Sequence, residues 1–209
     1  MNWNDGITPY KIETDRLIIK CWEPKYAQKL KAEIEESADV LLPWMPFAKA
    51  PFPTLIEEIN TLRTFRGNYD LNKDYVLGIF DKAEEIVIGS TGLHTRQGPN
   101  TFEIGYWIGK RHQNKGYATE VTSSLIKLSF EYSNVIRIEI NSAYENTKSE
   151  NVIKKLNIQF EGVIRKGIVD AYGKYHDLKK WAILREEYEK SEHKKRMIKA
   201  YDCTGNLIE

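Results

Sequence analysis

The stretch Gln113-Asn-Lys-Gly-Tyr-Ala-Thr-Glu120 joins two segments with different hydrophobic periods. Before it, in Thr101–Ile108, apolar residues alternate with a period of two, as a strand requires; they are Phe102, Ile104, Tyr106 and Ile108. After it, apolar residues recur at steps of three and four, as a helix requires; they are Ala118, Val121, Leu125, Leu128 and Tyr132. The stretch is therefore predicted to be a turn that leads from a strand into a helix.

This turn has the properties of a phosphate-binding site. The first backbone N–H groups of a helix lack partners within the helix, and the helix dipole favours negative charge there. Gly116 has no side chain to hold a diphosphate away, and Lys110, Arg111 and Lys115 add positive charge. The dinucleotide fingerprint and the Walker loop are both absent from the sequence. A glycine turn of this kind often has no ligand, so a plain turn remains the alternative.

Two motifs resemble those of the GCN5-related N-acetyltransferases (GNAT). Gln113-x-x-Gly116-x-Ala118 resembles their Arg/Gln-x-x-Gly-x-Gly/Ala signature, and Glu103-Ile-Gly-Tyr-Trp-Ile108 resembles the preceding strand in the RimJ/RimL-type ribosomal-protein N-acetyltransferases. Thr14-Asp-Arg-Leu17 is similar to the usual opening of the family. The resemblance implies acetyl-coenzyme A (acetyl-CoA) as co-substrate, with its pyrophosphate on the turn and its pantetheine arm along the strand. The implied contacts are Trp107, Ile108, Gly109, Gln113, Asn114, Lys115, Gly116, Tyr117, Ala118, Thr119, Asn146 and Ser149.

The resemblance also implies a reaction in which an amine attacks the thioester directly. Glu103 is the implied base, and a solvent-facing strand carboxylate is the alternative interpretation of this residue. A carboxylate is a weak base for a lysine amine, whose pKa is about 10.4. An N-terminal amine has a pKa about 2.5 units lower, which reduces the cost of deprotonation by roughly 3.4 kcal/mol. An N-terminal amine of a protein or peptide is therefore the favoured acceptor.

Asn146-x-x-Ser149 resembles a polar pair of the same branch. The resemblance implies that Asn146 binds the pantetheine and that Ser149 donates a hydrogen bond to the leaving thiolate. Thr147-Lys-Ser-Glu150 also has the pattern of a capping box, so polar residues that only begin a helix are the alternative. Lys155-Leu-Asn-Ile158 departs from the usual Lys-Leu-Gly-Phe, which changes the wall behind the thioester.

The order of predicted elements is β-α-α-β-β-β-α-β-α-β-β. It indicates an α/β (α+β) fold with a mixed, mostly antiparallel central sheet flanked by helices, and it matches the acetyltransferase fold over residues 12–186. Residues 1–11 are expected to be a loose lead-in, and the charged extension 187–209 is expected to continue as a solvated helix to about Ala200. Thr54–Glu57 is a predicted capping box. Gly89 and Gly92 suggest a bulge or close backbone approach, and Gly105 suggests a bulge that aims a backbone group at the thioester oxygen, with a plain strand glycine as the alternative.

The segment Leu41–Phe47 contains two prolines and large apolar side chains, so it is neither a regular helix nor a central strand. It either packs on the core or forms an acceptor wall through Trp44, Met45 and Phe47, as a similar segment of the RimJ/RimL branch suggests. The part from Pro43 to Phe47 has no carboxylate to bind a polycation. A small-amine (polyamine or antibiotic) acetyltransferase and a non-catalytic acyl-CoA-binding module are the rival interpretations.

Composition restricts the classes of partner. The 209 residues carry a net charge of +1 with both signs interspersed, which argues against a direct nucleic-acid partner. Cys21 and Cys203 lie far apart, and no spacing of cysteine and histidine predicts a metal. No signal pattern or membrane span is present, so a cytoplasmic protein is expected. The sequence leaves a homo-oligomer open. The four histidines show no spaced pair and no triad with a serine; they are His94, His112, His176 and His193.

Overall fold

The computed structural model describes residue 3 and residues 6–208. The strands within this part of the chain are β1 (Lys11–Glu13), β2 (Leu17–Cys21), β3 (Tyr75–Asp81), β4 (Val87–His94), β5 (Thr101–Ile108), β6 (Arg137–Ala143), β7 (Gln159–Val169), β8 (Tyr175–Leu184) and β9 (Lys199–Tyr201). They form one sheet in the order β7-β8-β6-β5-β4-β3-β2-β1-β9. The β5–β6 pair is parallel, and the other neighbouring strands are antiparallel. The predicted mixed, mostly antiparallel sheet is confirmed.

Helices cover both faces of this sheet. They are α1 (Ala27–Glu36), α2 (Ala38–Leu41), α3 (Leu55–Asp70), α4 (Tyr117–Tyr132), α5 (Thr147–Lys155) and α6 (Arg185–Tyr188). Successive strand residues point to opposite faces, so Trp107 packs in a cluster with α1, α2 and α3 while Ile108 packs in another with α4 and α5. None of the helices in residues 6–208 has both the length and the apolar character needed to cross a membrane.

The two predicted capping boxes have different outcomes. The first is confirmed, because the Thr54 hydroxyl accepts from the Glu57 backbone N–H and the Glu57 carboxylate accepts from the Thr54 N–H. The second is wrong, because Asn146 caps α5 by accepting from the backbone N–H of Ser149 at 3.1 Å. Asparagine and threonine are both good N-cap residues, so the sequence pattern alone does not distinguish adjacent positions.

The sheet opens between β5 and β6. These strands pair only over Thr101–Glu103 and Arg137–Glu139, after which β5 stays with β4 and β6 stays with β8. Backbone groups of β5 beyond Glu103 therefore have no β6 partner. The bulge predicted at Gly105 is wrong, because the β4–β5 register is continuous. The close approach predicted at Gly89 is confirmed, since a Cβ there would overlap the Trp107 carbonyl oxygen.

Both ends of the described chain pack against the sheet. The expectation of a loose lead-in is wrong at Trp3, which is 4% exposed within the main core. The long solvated helix predicted after residue 187 is also wrong. The chain instead forms β9, which pairs with β1, because the extension contains the fully buried residues Tyr188 and Ala200 that a solvated helix would expose.

Candidate active site

A cavity of 1040 Å³ lies where β5 and β6 separate. Its walls come from α1, α3, β5, α4, β6 and α5, so it has access to both faces of the sheet. Most of the predicted site residues line it: Glu103, Ser149, Trp107, Ile108, Gln113, Asn114, Gly116, Tyr117, Ala118, Thr119, Asn146, Trp44, Met45 and Phe47. The predicted contacts Gly109 and Lys115 are not among the lining residues. The fold thus brings together residues from three distant segments of the sequence, 44–47, 103–119 and 146–149.

The turn before α4 presents a row of free backbone donors. Asn114 and Gly116 have positive φ angles of 61° and 81°, and α4 begins at Tyr117. The first helical hydrogen bond runs from the Glu120 N–H to the Gly116 carbonyl. Within the described residues, the backbone N–H groups from position 113 to position 119 have no protein acceptor. Such a concave run of donors at a helix start fits a diphosphate.

The start of the chain holds this turn in place. Arg16 donates from Nη1 to the Lys115 carbonyl at 2.8 Å and from Nε to the Glu120 carboxylate at 2.7 Å. Thr14 donates to the same carboxylate at 2.6 Å. Burial acts to raise the pKa of Glu120, but the hydrogen bonds from Thr14 and Arg16 lower it overall. Thr14-Asp-Arg-Leu17 resembles the family opening in sequence, but no local pattern there indicates that it supports the turn.

Ser149 lies on the cavity wall with a tyrosine behind it. Its hydroxyl oxygen is 3.0 Å from the hydroxyl oxygen of Tyr106. Burial raises the pKa of Tyr106 to about 12, so the phenol stays protonated near neutral pH and is able to donate to Ser149. The Ser149 hydrogen is then available to an acceptor in the cavity. From the sequence, Tyr106 was expected on an apolar strand face as core or pocket lining, and no local pattern indicated its contact with Ser149.

Glu103 is buried, so its interpretation as a solvent-facing carboxylate is wrong. Arg96 donates to both of its oxygens, at 2.8 and 3.0 Å, and Gln97 donates as well. Burial acts to raise the pKa of Glu103, but Arg96 and Gln97 lower it overall. A carboxylate that already accepts three hydrogen bonds is a weaker proton acceptor than an isolated one.

A histidine that the sequence analysis set aside also lines the cavity. His94 ends β4 opposite Glu103, and its Nδ1 lies 2.9 and 3.1 Å from the two Asp74 carboxylate oxygens. Asp74 and His94 are 20 residues apart in the sequence; Asp74 directly precedes β3 and His94 is the last residue of β4. Only the pairing of β3 with β4 brings them together, so no local motif signals this pair.

The predicted acceptor wall is partly a core element. In this segment Leu41 is buried with α1 and α3, whereas Phe47 is 46% exposed and lines the cavity. The Phe47 ring lies 6.1 Å from the ring of Trp107, measured between centroids. The segment therefore both packs on the core, through Leu41, and lines the cavity, through Phe47; its role as an acceptor wall stays a prediction. The described residues contain no group of three potential metal ligands.

Comparisons with known proteins agree with this geometry. The family model described as "Acetyltransferase (GNAT) domain" matches residues 16–159. The chain is 30% identical over 177 residues to "Putative ribosomal N-acetyltransferase YdaF" of Bacillus subtilis, covering 84% of this chain and 94% of the relative. It is 22% identical to the "[Ribosomal protein uS5]-alanine N-acetyltransferase" of Escherichia coli, covering 77% and 84%.

The fold is also found among solved structures. The crystal structure of the microcin C7 self-immunity acetyltransferase MccE in complex with acetyl-CoA and AMP superposes with a TM-score of 0.75 at 21% identity. The similarity covers 82% of this chain and 93% of MccE. At this identity the likeness concerns the fold. The family match over residues 16–159, more than half of the sequence, shows that this chain belongs to the GNAT acetyltransferase family.

Proposed function

We propose that this N-acetyltransferase moves the acetyl group of acetyl-CoA to the N-terminal amine of a protein, with a cytoplasmic ribosomal protein as the acceptor class. The observation that carries the proposal is the row of free backbone donors at positions 113–119, which shares one cavity with Ser149 and with the open edge of β5. Family membership supplies the reaction, and the donors, Ser149 and the open edge of β5 support our assignment of where the cofactor and the acceptor bind.

The cofactor fits the residues that are present. The turn would hold the pyrophosphate through the backbone groups of Gln113, Asn114, Lys115, Gly116, Tyr117, Ala118 and Thr119. The pantetheine arm would lie along Trp107–Gly109, where β5 has no β6 partner. The side-chain oxygen of Asn146 caps α5, which leaves its amide nitrogen to donate to the arm. When bound, acetyl-CoA supplies the activated acyl group.

Ser149 supports release of the thiol on this proposal. A serine hydroxyl is a poor acid, so its part is to donate a hydrogen bond to the developing thiolate rather than to transfer a full proton. On this proposal the Tyr106 phenol, whose oxygen lies 3.0 Å from the Ser149 hydroxyl oxygen, is the donor of the pair, so that the Ser149 hydrogen is directed at the sulfur. Hydrogen bonds aimed at charge that appears only during the reaction lower the barrier more than they tighten substrate binding.

The charges in the cavity favour one ammonium group over a polycation. Among its carboxylates, Glu103 is paired with Arg96 and Glu35 with Lys31. Glu58 is 4% exposed and makes no hydrogen bond with another described side chain; burial raises its pKa, although Lys31 acts against this. A single carboxylate of this kind does not match the several cations of a polyamine or an aminoglycoside. The relatives named above for ribosomal-protein acetylation support the same acceptor class.

The test is mass spectrometry of a mixed panel incubated with acetyl-CoA. The panel contains peptides with free N-termini from ribosomal proteins, the same peptides with blocked N-termini and internal lysines, polyamines and aminoglycosides. We expect acetylation only of the free N-termini, with equal release of free thiol. Acetylation only of polyamines or aminoglycosides would overturn the acceptor assignment, and cofactor binding without transfer to any amine would identify a non-catalytic binding module.

A further inference from the structure

We propose that His94 is the catalytic base of this enzyme and that Asp74 positions it. The inference rests on the proposed function to the extent that the acceptor is a primary amine; it holds for a peptide or for a smaller amine. The family resemblance implied Glu103 as the base, and His94 on β4 lies directly opposite Glu103 on β5.

The orientation of the imidazole suits a base. Its Nδ1 lies 2.9 and 3.1 Å from the Asp74 carboxylate oxygens, so the hydrogen is placed on Nδ1 and the lone pair on Nε2. No described residue makes a hydrogen bond to Nε2. Gly92 and Gly105 are cross-strand partners, and they lie directly under the His94 imidazole ring. A Cβ on Gly92 would lie 3.0 Å from Nε2, and a Cβ on Gly105 would lie 3.2 Å from it.

His94 and Ser149 lie on opposite faces of β5, so the proposed base is separated from the residue that contacts the leaving thiolate. Glu103, Gly105 and Trp107 point to one face of the sheet, and Ile104, Tyr106 and Ile108 point to the other. Tyr106 contacts Ser149 on its face, whereas His94 lies opposite Glu103 and above Gly105 on the first face. Both side chains line the same cavity, which passes through the opening between β5 and β6. An amine that enters over Gly105 therefore meets His94 on the side opposite Ser149.

The charged groups around His94 leave it as the better proton acceptor. Asp74 contacts its Nδ1, and Glu103, its cross-strand partner, is itself paired with Arg96. Arg96 neutralises the Glu103 carboxylate through two hydrogen bonds, and Gln97 donates a third hydrogen bond to it. An imidazole held by a carboxylate at one nitrogen is the arrangement that general-base catalysis most often uses.

The chemistry balances without another reactant. The neutral amine nitrogen forms a bond to the thioester carbonyl carbon, and His94 Nε2 takes the proton that the nitrogen loses. The C–S bond breaks with its electron pair on sulfur, where the Ser149 hydroxyl donates a hydrogen bond and water supplies the proton of the free thiol. The imidazolium, stabilised by Asp74, returns its proton to water.

The test compares His94→Gln, His94→Ala, Asp74→Asn and Glu103→Gln with the wild type. We expect His94→Gln to lower kcat by about 100-fold or more while the acetyl-CoA Kd stays unchanged in calorimetry. It should also lose the acidic limb of the kcat–pH profile, and added imidazole should restore part of the rate to His94→Ala. Asp74→Asn should lower kcat and displace this limb to lower pH, because the imidazolium loses its carboxylate. A purely structural role would not move the limb.

The chain offers a matched control in a second histidine–aspartate pair. His176 and Asp170 lie 2.9 Å apart, and neither residue lines the cavity. His176→Gln should keep both kcat and its pH profile. If the wild type is active and His94→Gln retains both kcat and the acidic limb, this inference is overturned and the proposed function stays intact. The same holds if only Glu103→Gln loses the limb. A wild type that acetylates no amine would overturn both.

Discussion

Arg16 and Glu120 lie 104 residues apart in the sequence and form an ion pair of 2.7 Å between Nε and Oε2. The pair joins the turn before β2 to the first turn of α4. A second hydrogen bond from Arg16 reaches the carbonyl of Lys115, so the guanidinium links the middle of the proposed phosphate turn to the helix residue Glu120 at its end. The conformation of that turn therefore depends on residues outside it.

Loss of the Glu120 charge should reduce stability at neutral pH. Glu120→Gln leaves Thr14 and Arg16 without a charged acceptor, and we expect a loss of about 2 kcal/mol in the free energy of unfolding, limited by the solvent exposure of Arg16. The folded-state pKa of Glu120 is below its ordinary value of 4.5, so its contribution is complete above that pH and disappears as the pH falls through the folded pKa. Urea denaturation at pH 7 and at steps below pH 4.5 should show the two proteins converging.

A control for this comparison is Glu192→Gln. Glu192 pairs with Lys195 at the surface, where both side chains are at least 75% exposed. The expected change is within about 0.5 kcal/mol. A loss in Glu120→Gln no larger than this would show that the buried network contributes little.

Side chains at Gly116 should prevent binding of acetyl-CoA. Gly116→Glu places a bulky negative group where the diphosphate is proposed to lie, so calorimetry should detect no binding. Gly116→Ala also strains the left-handed backbone at φ 81°, at a cost of about 1 kcal/mol. Gly173→Ala is the matched control, since Gly173 has φ 82° in a distant turn. Equal weakening of cofactor binding in both alanine variants would show that backbone strain, and not the loss of contacts at the phosphate turn, is responsible.

The hydroxyl pair of Tyr106 and Ser149 should affect kcat rather than binding. We expect Ser149→Ala to lower kcat by about 100-fold and Tyr106→Phe by about 10-fold, because each removes part of the hydrogen-bond donation to the leaving thiolate. Release of free thiol under saturating substrate is the measurement. The exposed Tyr172 supplies the control Tyr172→Phe. A variant of Ser149 with normal kcat would remove this residue from the reaction.

Phe47 should contribute to acceptor binding. Phe47→Ala removes apolar surface from the wall opposite Trp107, and we expect KM for a peptide acceptor to rise about tenfold, with the acetyl-CoA Kd unchanged. Leu71→Ala is the control, because Leu71 is exposed but lies outside the cavity lining. If the Phe47 variant weakens the cofactor instead, the acceptor wall has been placed wrongly.

The parts of the structure that follow from local patterns were predictable. The alternation in Thr101–Ile108 predicted β5 with its exact bounds, and the glycine turn before α4 followed from the change of period. The His94–Asp74 pair was not predictable, because it depends on strand register across a hairpin. The cap at Asn146 was missed because neighbouring polar residues are equally able to cap, and β9 was missed because charged residues surround its short apolar pattern.

The pairing of β1 with β9 joins Ile12 to Ala200, at opposite ends of the described chain. Because so long a loop must close before this contact forms, we expect it to form late in folding and to open early under stress. Cleavage by a protease just before Lys199 would allow β9 to dissociate and would expose the backbone hydrogen-bonding groups of β1 that now pair with β9. Strand edges left open in this way act as templates for neighbouring molecules, so clipped protein should self-associate while intact protein does not.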